Sequence, residues 1–278
     1  MKRTLYILAA AAVLSAVLGC NTPTAIYDRN REVILRSQSR LVEGDQALTR
    51  GDVGRAADRY AKASGDLAAA ITNLETAERD IDSQLRELDQ AGAPQTGGVG
   101  GTRFYTDTLR AYREALALAI VLKALALERQ GEAAYRSAAQ AVLDGDAAYA
   151  SRQFATAARE FSDADRDFGR AIASFTDTLD FLKWKGPAAS RLTRSAPPQT
   201  WGVLEPLRQN VTHRLVQAGA YRSSASQRAL QAAHVVSLYR QEDVGNIPEV
   251  DIVPLVPLPD VVRSGVTPPP VPSATLAK

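Results

Sequence analysis

Hydrophobic residues recur every seven positions along three stretches of this 278-residue chain, with polar residues between them. In the first two stretches, a series of large residues lies four positions from a series that is almost entirely alanine. The first stretch has Tyr60, Leu67, Leu74, Ile81 and Leu88, and Ala56, Ala63, Ala70 and Ala77. The second has Phe161, Phe168, Phe175 and Leu182, and Ala157, Ala164, Ala171 and Thr178. The third has Leu204, Val211, Ala218, Ala225, Ala232 and Tyr239.

We call these series heptad seams, and they are typical of coiled-coil-like packing between helices. Because alanine lets two helices approach closely, we expect each seam to face an antiparallel neighbour. Frequent alanine and few aromatic residues also favour helix. The sequence therefore predicts an all-α fold built from long antiparallel helical hairpins.

Two further helical patterns cover about residues 26–50 and 103–144. In the second, Ala115–Leu127 is apolar on nearly every side, and Lys123 is its only charged residue. A helix of this kind is expected at the buried centre of a bundle. The stretch is too short for a membrane span, the competing interpretation. Gly131 is expected to mark a kink or a boundary in this helix.

Segments rich in glycine and proline divide the chain. Residues 91–101 are predicted to form a loop; no strand precedes their glycines and no Lys-Ser or Lys-Thr follows, which argues against a nucleotide-binding loop. Residues 186–200 are predicted to be a linker and residues 201–242 a C-terminal helix. Proline interrupts residues 243–278 so often that we expect an extended or disordered tail.

The two regular seams belong to an internal repeat with an offset of 101 residues, covering about 41–82 and 142–183. The equivalent pairs include Gly44 and Gly145, Asp45 and Asp146, Tyr60 and Phe161, and Asp66 and Asp167. Because the pairs stay in phase with the heptads, we interpret them as a duplication within a helical hairpin domain at 26–185.

Each copy also resembles half or more of a tetratricopeptide repeat. The first copy carries that family's pattern of small and aromatic residues at Gly44, Ala47, Gly51, Ala56, Tyr60 and Ala63, and the second at Gly145, Ala148, Phe154, Ala157, Phe161 and Ala164. Where the family has tryptophan, the first copy has Arg40 and the second has Ala141. Where the family has its closing proline, the copies have Ala68 and Gly169. The resemblance implies two long hairpins rather than a stacked solenoid, and it weakly implies peptide binding.

The N-terminus has the pattern of an export signal. Lys2 and Arg3 precede an apolar run, Leu5–Leu18, of 14 residues. As a helix this run would extend roughly 21 Å, against about 30 Å for a bilayer core, so it suits a signal peptide better than a permanent span. The simpler interpretation is an ordinary secretory signal peptide that is followed by a cysteine by chance.

The residues Val17-Leu18-Gly19-Cys20 resemble the lipobox of bacterial lipoproteins. The resemblance implies that residues 1–19 are removed, that Cys20 carries the lipid and that residues 20–25 are a tether. In that family, an Asp directly after the lipidated cysteine signals retention at the inner membrane. This chain has Asn21 at that position, which implies attachment to the outer membrane, facing the periplasm. Cys20 is the only cysteine, so no internal disulfide can form.

The balance of basic and acidic residues limits the classes of partner that we expect. The chain has 33 Lys and Arg and 31 Asp and Glu, and loss of Lys2 and Arg3 would leave equal numbers. No net field would attract nucleic acid, so membrane attachment would rest on the lipid at Cys20. Other envelope proteins are the expected partners. A seam edge left exposed could also pair two copies of the chain, which makes a homo-oligomer an open alternative.

Few residues suggest catalysis or metal binding. His213 and His234 lie 21 residues apart on one predicted helix, too far to share a metal, and we expect exposed side chains. Asp163, Asp165 and Asp167 begin like a calcium loop that lacks its later residues, so we expect a solvated acidic face. Tyr221-Arg222 and Tyr239-Arg240 could form a contact surface, although edge packing is the simpler interpretation.

The sequence thus predicts no catalytic, cofactor-binding or metal-binding residues, and a protein that is not an enzyme. The predicted function is a lipid-anchored helical scaffold or spacer for protein–protein contacts. The alternative is a tetratricopeptide-like, peptide-binding adaptor in envelope assembly or export. An enzyme would need acids from different helices to converge in a cleft.

The lipid anchor can be tested by changing one atom. Cys20→Ser removes the thiol that would take the lipid, and no other part of the sequence provides a span or a basic patch. We expect the variant to move to the soluble envelope fraction with its helical content and thermal unfolding unchanged. A Cys20→Ser protein that remains with membranes after a high-salt wash would place the attachment elsewhere.

Overall fold

A computed structural model describes residues 22–90, 102–192, 203–238, 254–257 and 271, with the side chains of the second range described as far as residue 185. Its helices are α1 (Pro23–Thr49), α2 (Val53–Gln90), α3 (Thr102–Ala150), α4 (Phe154–Leu192) and α5 (Leu204–Leu238). Within these ranges the chain has no strand. The predicted all-α fold is confirmed.

Consecutive helices run antiparallel. Between α1 and α2, Arg40 pairs with Asp66 and Asn73 donates a hydrogen bond to Asn30, so residue numbers rise on one helix as they fall on the other. Between α3 and α4, Gly131 lies against Phe175 and Gly145 against Phe161, with the same reversal. The predicted hairpins are therefore α1–α2 and α3–α4, and α2–α3 and α4–α5 also pack directly.

Helices α1, α3 and α5 lie parallel to one another. Contacts between α1 and α3 keep a nearly constant difference in residue number, and so do contacts between α3 and α5. The pairs are Tyr27–Tyr112 and Asp45–Arg129 for the first interface, and Glu128–Asn210 and Asp146–Arg228 for the second. The N-terminal part of α3 thus lies beside α1 and its C-terminal part beside α5, and both neighbours reach Glu128-Arg129, so that α3 is the spine of the bundle.

The heptad seams form the core. Among the residues whose side chains are described, every member of the heptad seams is buried except Leu88 and Leu204, which are partly exposed. The apolar stretch of α3 is also buried apart from Lys123 and Leu127, as expected for the centre of a bundle. None of the described helices combines the length and apolarity needed to cross a bilayer.

The turns of the two hairpins are equivalent at the predicted offset of 101 residues. Gly51 and Arg152 both have positive φ, 80° and 61°. The amide of Asp52 donates to the carbonyl of Ala47 at 3.0 Å, and that of Gln153 donates to Ala148 at 2.8 Å. These bonds close the helix end around a left-handed residue, as in a Schellman motif. The structure therefore supports the internal repeat in its backbone as well as in its sequence.

A glycine of the first helix touches an aromatic ring of the second helix in both hairpins. A Cβ added to Gly44 would lie 2.4 Å from the ring of Tyr60, and one added to Gly145 would lie 2.6 Å from the ring of Phe161. Gly131 meets Phe175 in the same way at 2.5 Å. The predicted boundary at Gly131 is wrong, because α3 continues through this residue, which provides space for a ring. The alternative prediction of a kink stays a prediction.

Several predicted boundaries are also wrong. Helix α1 begins at Pro23 and is capped by Thr22, so the predicted tether 20–25 is too long. Helix α3 continues past residue 144 to Ala150. Helix α4 continues through Pro187 to Leu192, which overlaps the predicted linker 186–200. Proline removes only one amide donor, and the residues after it include good helix formers.

The glycine–ring contacts predict opposite effects for two alanine substitutions. In Gly44→Ala the new methyl group would press on the Tyr60 ring, so we expect the free energy of unfolding to fall by about 1–3 kcal/mol. In Gly65→Ala, at an exposed helical position with nothing within 4 Å of the new Cβ, we expect a rise of about 0.5–1 kcal/mol. Urea denaturation measures both. Equal effects at the two positions would contradict the close approach.

Candidate functional site

A cluster of buried polar residues joins α1, α2 and α3. Tyr60 donates a hydrogen bond from its hydroxyl to Asp45 Oδ1 at 2.8 Å. Arg129 Nε lies 2.9 Å from the same carboxylate oxygen, and Arg129 Nη1 lies 3.0 Å from Glu128 Oε2. The Arg129 and Glu128 side chains are 1% and 2% exposed. A guanidinium so deeply buried requires its charge to be balanced locally, and these two carboxylates do so.

The cluster continues towards α5. Asn210 donates to Glu128 Oε1 at 3.4 Å, and Arg214 Nη2 lies 3.3 Å from Glu132. Arg214 also donates to Gln217 and lies 4.9 Å from the centre of the Tyr135 ring. The spine helix thus makes an acid–arginine contact with α1 through Arg129 and a first such contact with α5 through Glu132.

Burial changes the acidity of two groups in this cluster. It raises the pKa of Glu128 to about 7, although the neighbouring Arg129 opposes the shift. Burial and the hydrogen bond to Asp45 raise the pKa of Tyr60 above its usual range. Glu128 is therefore near the midpoint of its titration at neutral pH.

Arg228 repeats the arrangement of Arg129 at the interface between α3 and α5. Arg228 of α5 pairs with Asp146 of α3, which is the repeat equivalent of Asp45. The Arg228 side chain is 6% exposed, and its guanidinium lies 5.8 Å from the centre of the Phe161 ring. Phe161 is the equivalent of Tyr60 but has no hydroxyl. Each interface between parallel helices therefore has a buried arginine beside the aspartate that follows the contact glycine.

This arrangement is suited to holding helices together. The charged groups of the cluster are paired with one another inside packed helices, and the carboxylate with the raised pKa lies almost fully buried. General acid catalysis requires the proton to reach a substrate within hydrogen-bond distance. Across the described ranges, no group of three His, Cys, Asp or Glu side chains is arranged to hold a metal ion.

Part of the proline-rich tail lies against the end of α5. Arg228 Nε donates to the carbonyl oxygen of Val256 at 2.8 Å, and the amide of Val256 donates to Gln231 Oε1 at 3.2 Å. Leu255 packs against an apolar cluster of Ala148, Tyr149, Phe154, Ala157, Phe161, Ala232 and Val235. We call Arg228, Gln231 and this apolar cluster the tail site. Residues 254–257 have no regular secondary structure, and the rest of the predicted tail, except Val271, lies outside the described residues.

The structure separates the residues that the sequence singled out. His213 and His234 are both exposed, as expected. The predicted solvated face at Asp163, Asp165 and Asp167 is wrong in part. Asp165 pairs with Arg222 of α5, and Asp167 is buried and accepts a hydrogen bond from Ser137 of α3 at 2.7 Å. These carboxylates bind different helices because their positions fall on different sides of α4.

At the suggested contact surface, Tyr221 is internal, whereas Arg222 is exposed and pairs with Asp165. Tyr221 is buried, and its ring lies 6.0 Å from Tyr135 and 5.8 Å from Phe168, centre to centre. Edge packing is therefore the correct interpretation there. Cys20, Tyr239-Arg240 and the glycine-rich residues 91–101 lie outside the described residues, so the predictions for them stay predictions.

Sequence reasoning did not identify Glu128, Arg129 or Arg228. A signal was present in the repeat, since Asp45 and Asp146 were already paired as equivalents. An aspartate that recurs on the buried side of a helix needs a cationic or hydrogen-bonding partner. The partner itself could not be found, because it lies more than 80 residues away on another helix.

No protein-family model, curated protein or solved structure matches this chain. The resemblances to the lipobox and to the tetratricopeptide repeat therefore depend on the residues quoted for them.

The raised pKa of Glu128 predicts a pH-dependent stability. The folded chain holds the Glu128 proton more tightly than the unfolded chain, so this contribution is complete below about pH 4.5 and is lost as pH rises through 7. Glu128→Gln removes this titration. We expect the unfolding free energy of the variant to rise relative to that of the wild type between pH 5 and pH 8, by roughly 3 kcal/mol at most.

Glu87→Gln is the matched control, because Glu87 is exposed on α2. Its difference from the wild type should stay constant over the same pH range. Urea denaturation at each pH measures all three proteins. If Glu128→Gln and the wild type lose stability in parallel as pH rises, Glu128 does not titrate as described.

Proposed function

We propose that this chain is a lipid-anchored protein of the bacterial envelope that acts, without catalysis, as a helical scaffold or spacer for protein–protein contacts. The observation that carries the proposal is the continuous 49-residue helix α3, which contacts each of the other described helices. At 1.5 Å per residue, α3 extends for about 74 Å. A helix of this length could hold contacts at its two ends well apart.

The two ends of this spine differ in a way that suits a spacer. Near one end, the Tyr112 hydroxyl donates a hydrogen bond to the carbonyl oxygen of Pro23, three residues after the expected lipid site at Cys20. Near the other end, Asp146 pairs with Arg228 of the tail site. These two contacts are 34 residues apart on α3, which corresponds to roughly 51 Å. A lipid on Cys20 would then lie far from a surface that already binds a segment of polypeptide.

The parallel helices are held in register by buried charge. The arginines are 1% and 6% exposed and their aspartates 30% and 38%, so separating a pair would leave a buried guanidinium without its carboxylate. Sliding α1 or α5 along α3 would separate Asp45 from Arg129 or Asp146 from Arg228. Such a stack keeps its two ends at a fixed spacing, and this property supports the scaffold proposal.

A second candidate is the tetratricopeptide-like, peptide-binding adaptor. The tail site favours it, because there the helices bind an extended segment through both its main chain and a side chain. A second residue of the tail, Val271, packs against the helices beside a shallow pocket on α1 lined by Val42, Asp45, Gln46, Thr49 and Arg50. Both candidates place the function in contacts with protein.

Photo-crosslinking in cells tests the proposed function. A photoreactive amino acid at Leu143, Val216 or Leu230, which are exposed, should capture specific envelope proteins that are identified by mass spectrometry. Reciprocal purification of each partner should recover this chain. The same amino acid at the buried position Leu41 is the control for background capture.

The role of the lipid is tested by repeating the capture with Cys20→Ser. We expect the partners to be lost or reduced at least several-fold, since the scaffold would no longer be held at the membrane. Absence of envelope partners from all three exposed positions would contradict the scaffold proposal, whether or not the lipid anchor is present.

A further inference from the structure

The main chain of Val256 is bound at both of its polar groups. Arg228 donates to its carbonyl oxygen and Gln231 accepts from its amide. These two side chains lie three residues apart and therefore on the same face of α5. Together they bind both main-chain polar groups of one residue that lies outside regular secondary structure, as strand addition does at a sheet edge.

Arg228 is positioned for this contact by the helices themselves. Its Nη1 pairs with Asp146 of α3, and its guanidinium lies near the ring of Phe161 on α4. Its Nε remains directed towards Val256. An arginine held in this way loses little rotamer freedom when a peptide binds, which is the general basis of preorganised recognition.

Selectivity can come from the neighbouring positions. Leu255 packs on the apolar cluster between the α3–α4 turn and the end of α5. Val256 precedes Pro257, and a residue before proline is biased towards the extended conformation. Pro254 and Pro257 are exposed and need no partner for an amide, which proline lacks. The fitting ligand is an extended segment with two aliphatic residues followed by proline.

We propose that the tail site is a binding site for an extended aliphatic–aliphatic–proline segment, and that the chain's own residues 254–257 occupy it in cis as an internal competitor. A protein partner that carries such a segment would have to displace the tail. This inference is independent of the lipid anchor at Cys20 and of the spacer role.

The chain length allows the tail to reach the site within one molecule. Helix α5 ends at Leu238, seven residues or roughly 10 Å beyond Gln231. Residues 239–253 can span up to about 50 Å when extended, so the return to the site needs no second copy. A ligand joined by a tether of this length has an effective concentration on the order of millimolar. A free peptide would therefore compete poorly against the intact tail.

The test uses the full-length chain and a fluorescent peptide of residues 251–260, DIVPLVPLPD. The variant Leu255→Asp should release the tail, because it places a charge against the apolar cluster. We expect the peptide to bind this variant at least tenfold more tightly than it binds the wild type, as measured by fluorescence anisotropy. A peptide carrying Leu255→Asp should bind neither protein.

Two further variants, each combined with Leu255→Asp, locate the binding. Gln231→Leu removes the acceptor for the Val256 amide and should weaken peptide binding at least fivefold. Gln227→Leu makes the same change one turn away at an exposed position and should leave binding unchanged. Circular dichroism and thermal unfolding verify that both variants are folded.

Three outcomes would overturn the proposal. Equal peptide binding by the wild type and Leu255→Asp would show that the tail does not compete. Equal losses from Gln231→Leu and Gln227→Leu would place the peptide elsewhere. A wild-type dimer that dissociates on Leu255→Asp substitution would show that the tail binds a second copy in trans. The spacer role could survive each of these results.

Discussion

The close approach of two helices at a glycine that faces an aromatic ring is the constraint on which the rest of this structure depends. Gly44 against Tyr60 and Gly145 against Phe161 fix the distance and the rotation of the two helices in each hairpin. The alanine series then continues this close contact along the helices. Because the rings have no room to move, each hairpin has one favoured register. The aspartate next to each glycine is thereby brought to a defined place at the interface with the following hairpin.

That aspartate connects the hairpins to the parallel stack. Asp45 and Asp146 each meet a buried arginine from the next parallel helix, Arg129 or Arg228. A buried pair contributes little net stability compared with apolar packing, but a shift in register would leave both charges unpaired. Apolar seams alone could tolerate sliding by a heptad. We infer that the ion pairs specify the register, while the seams provide most of the stability.

The sequence predicted the helices well because their signals are periodic and local. Each seam repeats every seven residues, and its described members are buried nearly throughout. The helix ends were predicted less well. Thr22 and Pro23 begin a helix that was assigned to a tether, and Pro187 lies within a helix that was expected to have ended. Thr22 and Pro23 are a normal helix start, because proline is favoured at the first helical position, whereas Pro187 lies inside α4.

The candidate site was beyond sequence reasoning for a different physical reason. A pair such as Asp45 and Arg129 is defined by how two helices pack, and neither residue carries a local pattern that points to the other. The repeat could identify the aspartates, since their positions are equivalent. It could not identify the arginines, because Arg129 and Arg228 are 99 residues apart and fall outside the 101-residue register. Long-range electrostatic pairs of this kind require the packing geometry first.

The tail illustrates the same limit and also indicates a role for proline. Frequent proline predicted an extended or disordered segment, since such a chain cannot form helix. At residues 254–257 the lack of regular secondary structure is instead what permits binding, because the amide and the carbonyl of Val256 are then available to two side chains of one helix face. Proline reduces the conformational freedom that the segment would lose on docking. A proline-rich segment that cannot form a helix itself is therefore well suited to bind to the face of a helix.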